Sequence, residues 1–260
     1  MSLRTYLITG SASGIGRATA ELLKAQGHRV IGVDIHDADI TVDLATHQGR
    51  ETLVEQARAL SGGTVDAVIA NAGVTMPPHV SVSVNYFGAL ATVNGLRPLL
   101  NQSDSPRAVT TLSGALLSPP DPELLEHLAA EDEESASVRI DEMCEEMDQM
   151  AAISAVYATS KRALAQWLRR VAPTAEWAGE GIALNAVAPG WVDTPLVKDA
   201  LTEDVQDSLK TLAPLNGLAQ PKNLAHTFAW LTSPECTHVC GQILYVDGGA
   251  EVVTRGDRAW

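Results

Sequence analysis

The chain has 260 residues, 45% of them hydrophobic, a net charge of −14 and three cysteines. Such a composition supplies a sizeable core and excludes disorder, and no apolar run is long enough to span a bilayer. The acidity argues against nucleic acid as a partner, and Cys144, Cys236 and Cys240, an odd count without a CxxC pair, suit reduced thiols in a cytosolic protein rather than a disulfide framework or a zinc site.

In chain order, an apolar run at 6–9 reads as a first strand, and it starts too early for a cleavable leader. A Gly-rich turn then enters a helical pattern over 16–26 that stops at Gly27 and His28. Strands are expected at 30–34 and 40–42, a helix at 47–60, a strand at 67–70 and a helix over 80–100 carrying Asn85 near its start. Further strands are expected at 108–112, 182–188 and 242–246. Short apolar strands alternating with helices predict one α/β domain over 1–260, a doubly wound, seven-stranded parallel sheet covered on both faces.

The turn Thr9-Gly10-Ser11-Ala12-Ser13-Gly14-Ile15-Gly16 joins the first strand to the first helix. Gly10 permits a sharp turn, Gly14 lets backbone approach a pyrophosphate, and Gly16 lets the helix pack close to the sheet. The helix N-terminus would then face the anion. Asp34 ends the second strand, where a carboxylate suits an adenosine ribose diol and repels a 2′-phosphate. Ile35 and His36 beside it offer no arginine, so NAD is expected over NADP.

Residues 118–150 hold twelve acids and one base, Arg139, and so carry eleven of the excess negative charges. This segment reads as two helices. Asp121-Pro122-Glu123 opens the first, with Leu124, Leu125 and Leu128 as its apolar side. In the second, Ile140, Met143, Cys144, Met147 and Met150 recur at helical spacing, as a packing face or as an adaptable wall near a substrate. Tyr157 and Lys161 follow, one helical turn apart. The pair suits either an ordinary helix face or a phenol whose pKa a neighbouring ammonium lowers toward the working range. The seven histidines are scattered singly, and no metal site is expected.

Together these residues resemble the short-chain dehydrogenase/reductase family over nearly the whole chain. Thr9 to Gly16 matches its TGxxxGIG motif, with Ser13 and Ile15 in the cofactor-binding turn. Asp43-Leu44 matches its adenine-contacting pair, and Asn71-Ala72-Gly73 its NAG motif. Asn85 matches its helix Asn, Ser113 its catalytic Ser, and Tyr157 with Lys161 its YxxxK. Pro189-Gly190-Trp191-Val192-Asp193-Thr194 matches PGxVxT beside the nicotinamide, and Val246 to Gly249 the closing DGG. Leu112 departs from the pattern, standing where a second Ser is common. The stretch Val84-Asn85-Tyr86-Phe87-Gly88-Ala89 and an unusually long Ser113-to-Tyr157 connection narrow the resemblance to bacterial members active on hydroxysteroids and carbonyls.

The resemblance implies reversible hydride transfer between NAD(H) and a secondary alcohol or ketone. Tyr157 would be the acid/base, and Lys161 would lower its pKa and hold the nicotinamide ribose. Ser113 would bind the substrate oxygen, and Asn85 would hold a water leading from Lys161 to solvent. The substrate loop is expected at 190–220, where Trp191, Leu196, Val197, Leu201 and Val205 suit an apolar pocket, for a steroid or another bulky ketone, or form the loop's own core. A general carbonyl reductase or alcohol dehydrogenase is the alternative, and a non-catalytic NAD sensor is disfavoured because Tyr157 and Lys161 are both intact. An acidic helical insert at 118–152 beside the Tyr157 helix would repel its copy across a two-fold. A dimer through another face, near the last strand and the tail ending at Trp260, is therefore expected over a tetramer.

Overall fold

A computed structural model describes residues 3–197 and 202–258; Leu201 and Trp260 lie outside the described residues. The strands are β1 (Thr5–Thr9), β2 (Arg29–Asp34), β3 (Ile40–Thr41), β4 (Ala67–Ala70), β5 (Arg107–Thr111), β6 (Ala183–Pro189) and β7 (Ile243–Val246). They form one parallel sheet in the order β3-β2-β1-β4-β5-β6-β7. All seven expected strands are present, within a residue or so of their expected bounds.

The helices are α1 (Gly14–Ala25), α2 (His47–Ser61), α3 (Pro78–Val82), α4 (Ala89–Leu100), α5 (Pro122–Ala129), α6 (Glu133–Glu146), α7 (Gln149–Val171), α8 (Glu203–Leu212), α9 (Pro221–Leu231) and α10 (Ala250–Arg255). The continuous apolar strands are explained by side chains that alternate between two cores. Leu7, Val68, Ala108 and Leu184 point to one core with Leu53 of α2, Leu96 of α4 and Leu164 of α7. Tyr6, Ile69, Val109 and Val187 point to the other with Leu23 of α1 and Leu224 and Phe228 of α9. Among the described residues no helix is long and apolar enough to cross a membrane, and no group of three metal-ligating side chains occurs.

Two expectations about helices need correction. The helix expected over 80–100 is broken by a π-helical turn, Ser83–Gly88, between α3 and α4. The Met stripe does not lie on one helix either. Asp148 accepts the Ala151 N–H and starts α7, so α6 ends at Glu146. Ile140 and Met143 are buried against α5 and α7, but Cys144 is exposed and Met150 is 67% exposed. The buried half of the stripe is packing, and the exposed half lies at the surface on either side of the break between α6 and α7. Asp121 and Asp132 cap α5 and α6 in the same way, so three of the segment's twelve acids are helix caps.

Candidate active site

The sheet order reverses direction between β1 and β4, and the crevice at their C-terminal ends is where open α/β sheets bind ligands. Gly10, after β1, has a left-handed φ of +69°, and a Cβ there would stand 2.9 Å from the Ala72 Cα after β4. A Cβ on Gly16 would fall 2.1 Å from the Gly10 carbonyl oxygen. Both glycines are therefore demanded by close backbone approach. Asn71 and Ala72 donate their N–H groups to Thr9 Oγ1 at 3.0 Å each, and Thr111 Oγ1 donates to Asn71 Oδ1 at 3.2 Å. Asn71 thereby ties β1, β4 and β5 together beneath the crevice, next to Gly73.

The residues at this crevice fit a dinucleotide. Ser13 precedes α1 without a side-chain cap, which leaves first-turn N–H groups of that helix for an anion. Ile15 occupies the same first turn. Gly14, with φ +50°, lies across from Thr194, whose Cγ2 would be 3.1 Å from a Cβ at that position. Asp34 Oδ2 accepts the Ala12 N–H at 2.9 Å, fixing the carboxylate beside the Gly-rich turn. A carboxylate not singled out in the sequence stands nearby: Asp39 Oδ2 accepts the Gly32 N–H at 2.7 Å. The run Asp34, Asp37, Asp39 was its signal. Asp43 Oδ1 accepts the Ala45 N–H at 2.9 Å and shapes the turn that buries Leu44.

The reactive groups converge where the C-terminal ends of β4 and β5 meet the middle of α7. Ser113 stands two residues beyond β5, caps a short 3₁₀ turn, Gly114–Leu117, and shares a hydrogen bond with the Tyr157 hydroxyl. Lys161 is 3% exposed. Its Nζ donates to the Thr111 carbonyl at 3.0 Å and lies 5.7 Å from the Tyr157 ring centroid. Burial pushes the Lys161 ammonium down to about 8. Burial also pushes the Tyr157 phenol up, and the Ser113 hydrogen bond offsets only part of that rise. The expected lowering of the phenol by Lys161 is not seen among the protein's own groups: burial sets the direction, and Ser113 is the group that opposes it.

Asn85 sits in the π-helical turn and is fully buried. Its Nδ2 donates to Val74 O at 2.8 Å and Ser81 Oγ at 3.0 Å, and its Oδ1 accepts the Val74 N–H at 2.9 Å. Both amide protons are thus spent on the chain. A Cβ on Gly73 would stand 3.0 Å from Asn85 Oδ1 and 3.5 Å from Lys161 Nζ. Glycine leaves that space between the two groups free for a small polar bridge.

On the substrate side, Pro189 ends β6 and Gly190 packs against Asp247, which a Cβ at 190 would approach to 2.8 Å. Val192 is buried and bridges Ala219, closing the 190–220 loop at its base. Trp191 and Val197 are half-buried, Leu196 is 42% exposed, and Val205 lies half-buried on α8. A short helix that the sequence pattern did not predict lies beside these residues. Asp247 accepts the N–H groups of Gly249 and Glu251 and so starts α10, which packs beside the 3₁₀ turn that Ser113 begins. Val252 and Val253 on α10 are largely exposed. At only six residues, α10 shows too little periodicity to be read from the sequence.

Comparison with known proteins places this arrangement in context. Residues 4–120 match the family model for short chain dehydrogenase, and residues 126–251 match one described as enoyl-(acyl carrier protein) reductase. The chain is 33% identical over 256 residues to a 3-alpha-hydroxysteroid dehydrogenase/carbonyl reductase of Comamonas testosteroni, covering 96% of this chain and 97% of that one. It is 31% identical to a cis-4-hydroxycyclohexanecarboxylate dehydrogenase of Sinomonas cyclohexanicum, again over 96% and 97% of the two chains. Among solved structures, a 3-alpha-hydroxysteroid dehydrogenase from Pseudomonas sp. B-0831 complexed with NADH superposes with a TM-score of 0.86. That protein is 38% identical, with 97% of this chain and 99% of the other covered.

Proposed function

Since the chain belongs to the short-chain dehydrogenase/reductase family, and is thus an oxidoreductase of CH–OH groups using a nicotinamide cofactor, we propose that it interconverts bulky secondary alcohols and ketones with NAD(H). The observation that carries the reading is the convergence of Ser113, Tyr157 and Lys161. When bound, the nicotinamide supplies or accepts the hydride at the carbon bearing the oxygen. Ser113 donates a hydrogen bond to the substrate oxygen and stabilises the charge that develops there. Tyr157 delivers its proton to that oxygen in reduction and removes it in oxidation. Lys161 holds the nicotinamide ribose hydroxyls and favours the phenolate. Asn85 and the gap at Gly73 supply a proton path from Lys161 toward solvent.

NAD is favoured over NADP by the carboxylates of Asp34 and Asp39, with Ile35 and His36 beside them providing no arginine for a 2′-phosphate. The adenine end is assigned to Asp43 and Leu44, the pyrophosphate to Gly10, Ser13, Gly14, Ile15 and Gly16. The nicotinamide end is assigned to Asn71, Ala72, Gly73, Pro189, Gly190, Val192 and Thr194. Trp191, Leu196, Val252 and Val253 make the substrate face apolar, which suits a 3α-hydroxysteroid. The activities of the similar proteins lean the same way. A general carbonyl reductase is the second reading, favoured by the exposure of that same face.

Kinetics with 3α-hydroxysteroids, small alicyclic alcohols and aromatic ketones, each with NAD(H) and NADP(H), test the proposal. The expected result is NAD preference and a kcat/KM highest for the steroid. Equal turnover of small ketones selects the second reading, and NADP preference contradicts the role given to Asp34.

A further inference from the structure

The acidic insert is tied to α2 and to the π-helical turn through one ion pair, its guanidinium buried and its carboxylate partly exposed. Glu133, in the first turn of α6, accepts two hydrogen bonds from the Arg50 guanidinium of α2, Nη1 to Oε2 at 2.6 Å and Nη2 to Oε1 at 2.8 Å. Arg50 is 8% exposed. Its Nε donates to the Leu44 carbonyl at 2.8 Å, and Nη2 to the Ser83 carbonyl at 3.0 Å. The guanidinium also lies over the Phe87 ring, 5.6 Å from its centroid. Ser83 Oγ in turn donates to Glu133 Oε1 at 2.8 Å.

Arg50 therefore grips the π-helical turn near both its ends, at Ser83 and Phe87, with Asn85 between them. The same group fixes the Asp43–Leu44 turn. A π-helical turn is an unfavourable backbone form that persists where tertiary contacts hold it. Burial pushes the Glu133 carboxyl up, but the hydrogen bonds from Arg50 and Ser83 and the Arg50 charge outweigh it and hold the carboxyl below its ordinary range. It is thus the counter-charge that lets the Arg50 cation sit buried between α2 and the π-helical turn. Neither Glu133 nor Arg50 has a part in the proposed reaction.

We propose that Glu133, acting through Arg50 and Ser83, is a positioning residue that keeps the Asn85 turn in register with Lys161. The insert is then a brace for the proton-handling groups as well as a cover for α7. The inference rests on the assignment of Asn85 and Lys161 to the site.

Two variants test it: Glu133→Gln removes the counter-charge, and Ser83→Ala removes one hydroxyl while leaving the Arg50–Glu133 pair. Backbone hydrogen exchange over 83–88 is read without cofactor, and ketone reduction with NADH is followed at steady state. In both variants exchange over 83–88 should accelerate about tenfold. In both, kcat should fall about tenfold while KM for the ketone stays within about threefold. Unchanged exchange over 83–88, faster exchange with unchanged kcat, or a loss carried by KM alone would each overturn the proposal. If Glu133→Gln does not fold, Ser83→Ala decides. If the wild-type protein reduces no ketone, the proposed function fails, while the exchange readout still reports whether Glu133 holds the turn.

Discussion

Tyr157 and Lys161 share surroundings that disfavour both of their charged forms. Burial raises the phenol and lowers the ammonium to about 8. Ketone reduction needs Tyr157 protonated and Lys161 charged. The first condition holds through neutral pH because the phenol is raised, and the second fails as pH climbs through about 8. Reduction rates should therefore be flat below about pH 8 and fall above it, whereas alcohol oxidation, which needs the phenolate, should rise with pH over the same range. Absorbance of NADH followed in both directions from about pH 6 to 10 checks this, and parallel profiles would contradict it. Gly10, Gly16 and Asp34 were legible in the sequence because each meets a demand of one strand–helix–strand unit, β1-α1-β2. Arg50 and Glu133 were not, since the pair is joined across 83 positions and each resembles an ordinary surface charge.

At the scale of elements, the strands were legible because buried parallel strands are short, continuous apolar runs. The π-helical turn was not, because Ser83 to Gly88 satisfies a helical pattern and only three-dimensional contacts widen it. The acidic segment was legible as two helices but not as a network. Arg139, its single base, donates to Asp121, Glu142 and Glu146 and also pairs with Glu123. The Asp121 N–H donates to Thr159 Oγ1 at 2.9 Å, two residues from Tyr157. Burial raises the Asp121 carboxyl, but Arg139 and the Leu124 N–H outweigh it and leave the group below its ordinary value. A depressed carboxyl contributes stability above its unfolded pKa of about 4 and loses it as pH falls further. Arg139→Gln should thus lower the melting temperature at neutral pH by about 2–4 °C. It should also flatten the decline that the wild type shows on acidification, since protonation relieves the carboxylates left without a cation. An unchanged neutral melting point would contradict this role for Arg139.

For the whole molecule, α5 and α6 lie against α7 and carry the excess negative charge on that flank. The sheet ends in β7, an edge strand with Leu244 part-exposed, while Trp230 on α9 is 49% exposed. Sheet edges of this kind are covered in stable proteins. A two-fold along β7 and α9 would bury apolar surface, while one along α7 would oppose two acidic inserts. Light scattering should therefore give twice the chain's mass, and a four-chain assembly would contradict the charge argument. Proton-coupled hydride transfer through Tyr157 is tested by comparing the wild type with Tyr157→Phe. Wild-type protein should consume NADH in the presence of a bulky ketone. Tyr157→Phe should lose about a hundredfold or more of that rate while binding NADH with near-unchanged affinity by fluorescence titration. Substantial residual turnover in Tyr157→Phe, with NADH still bound, would contradict the account.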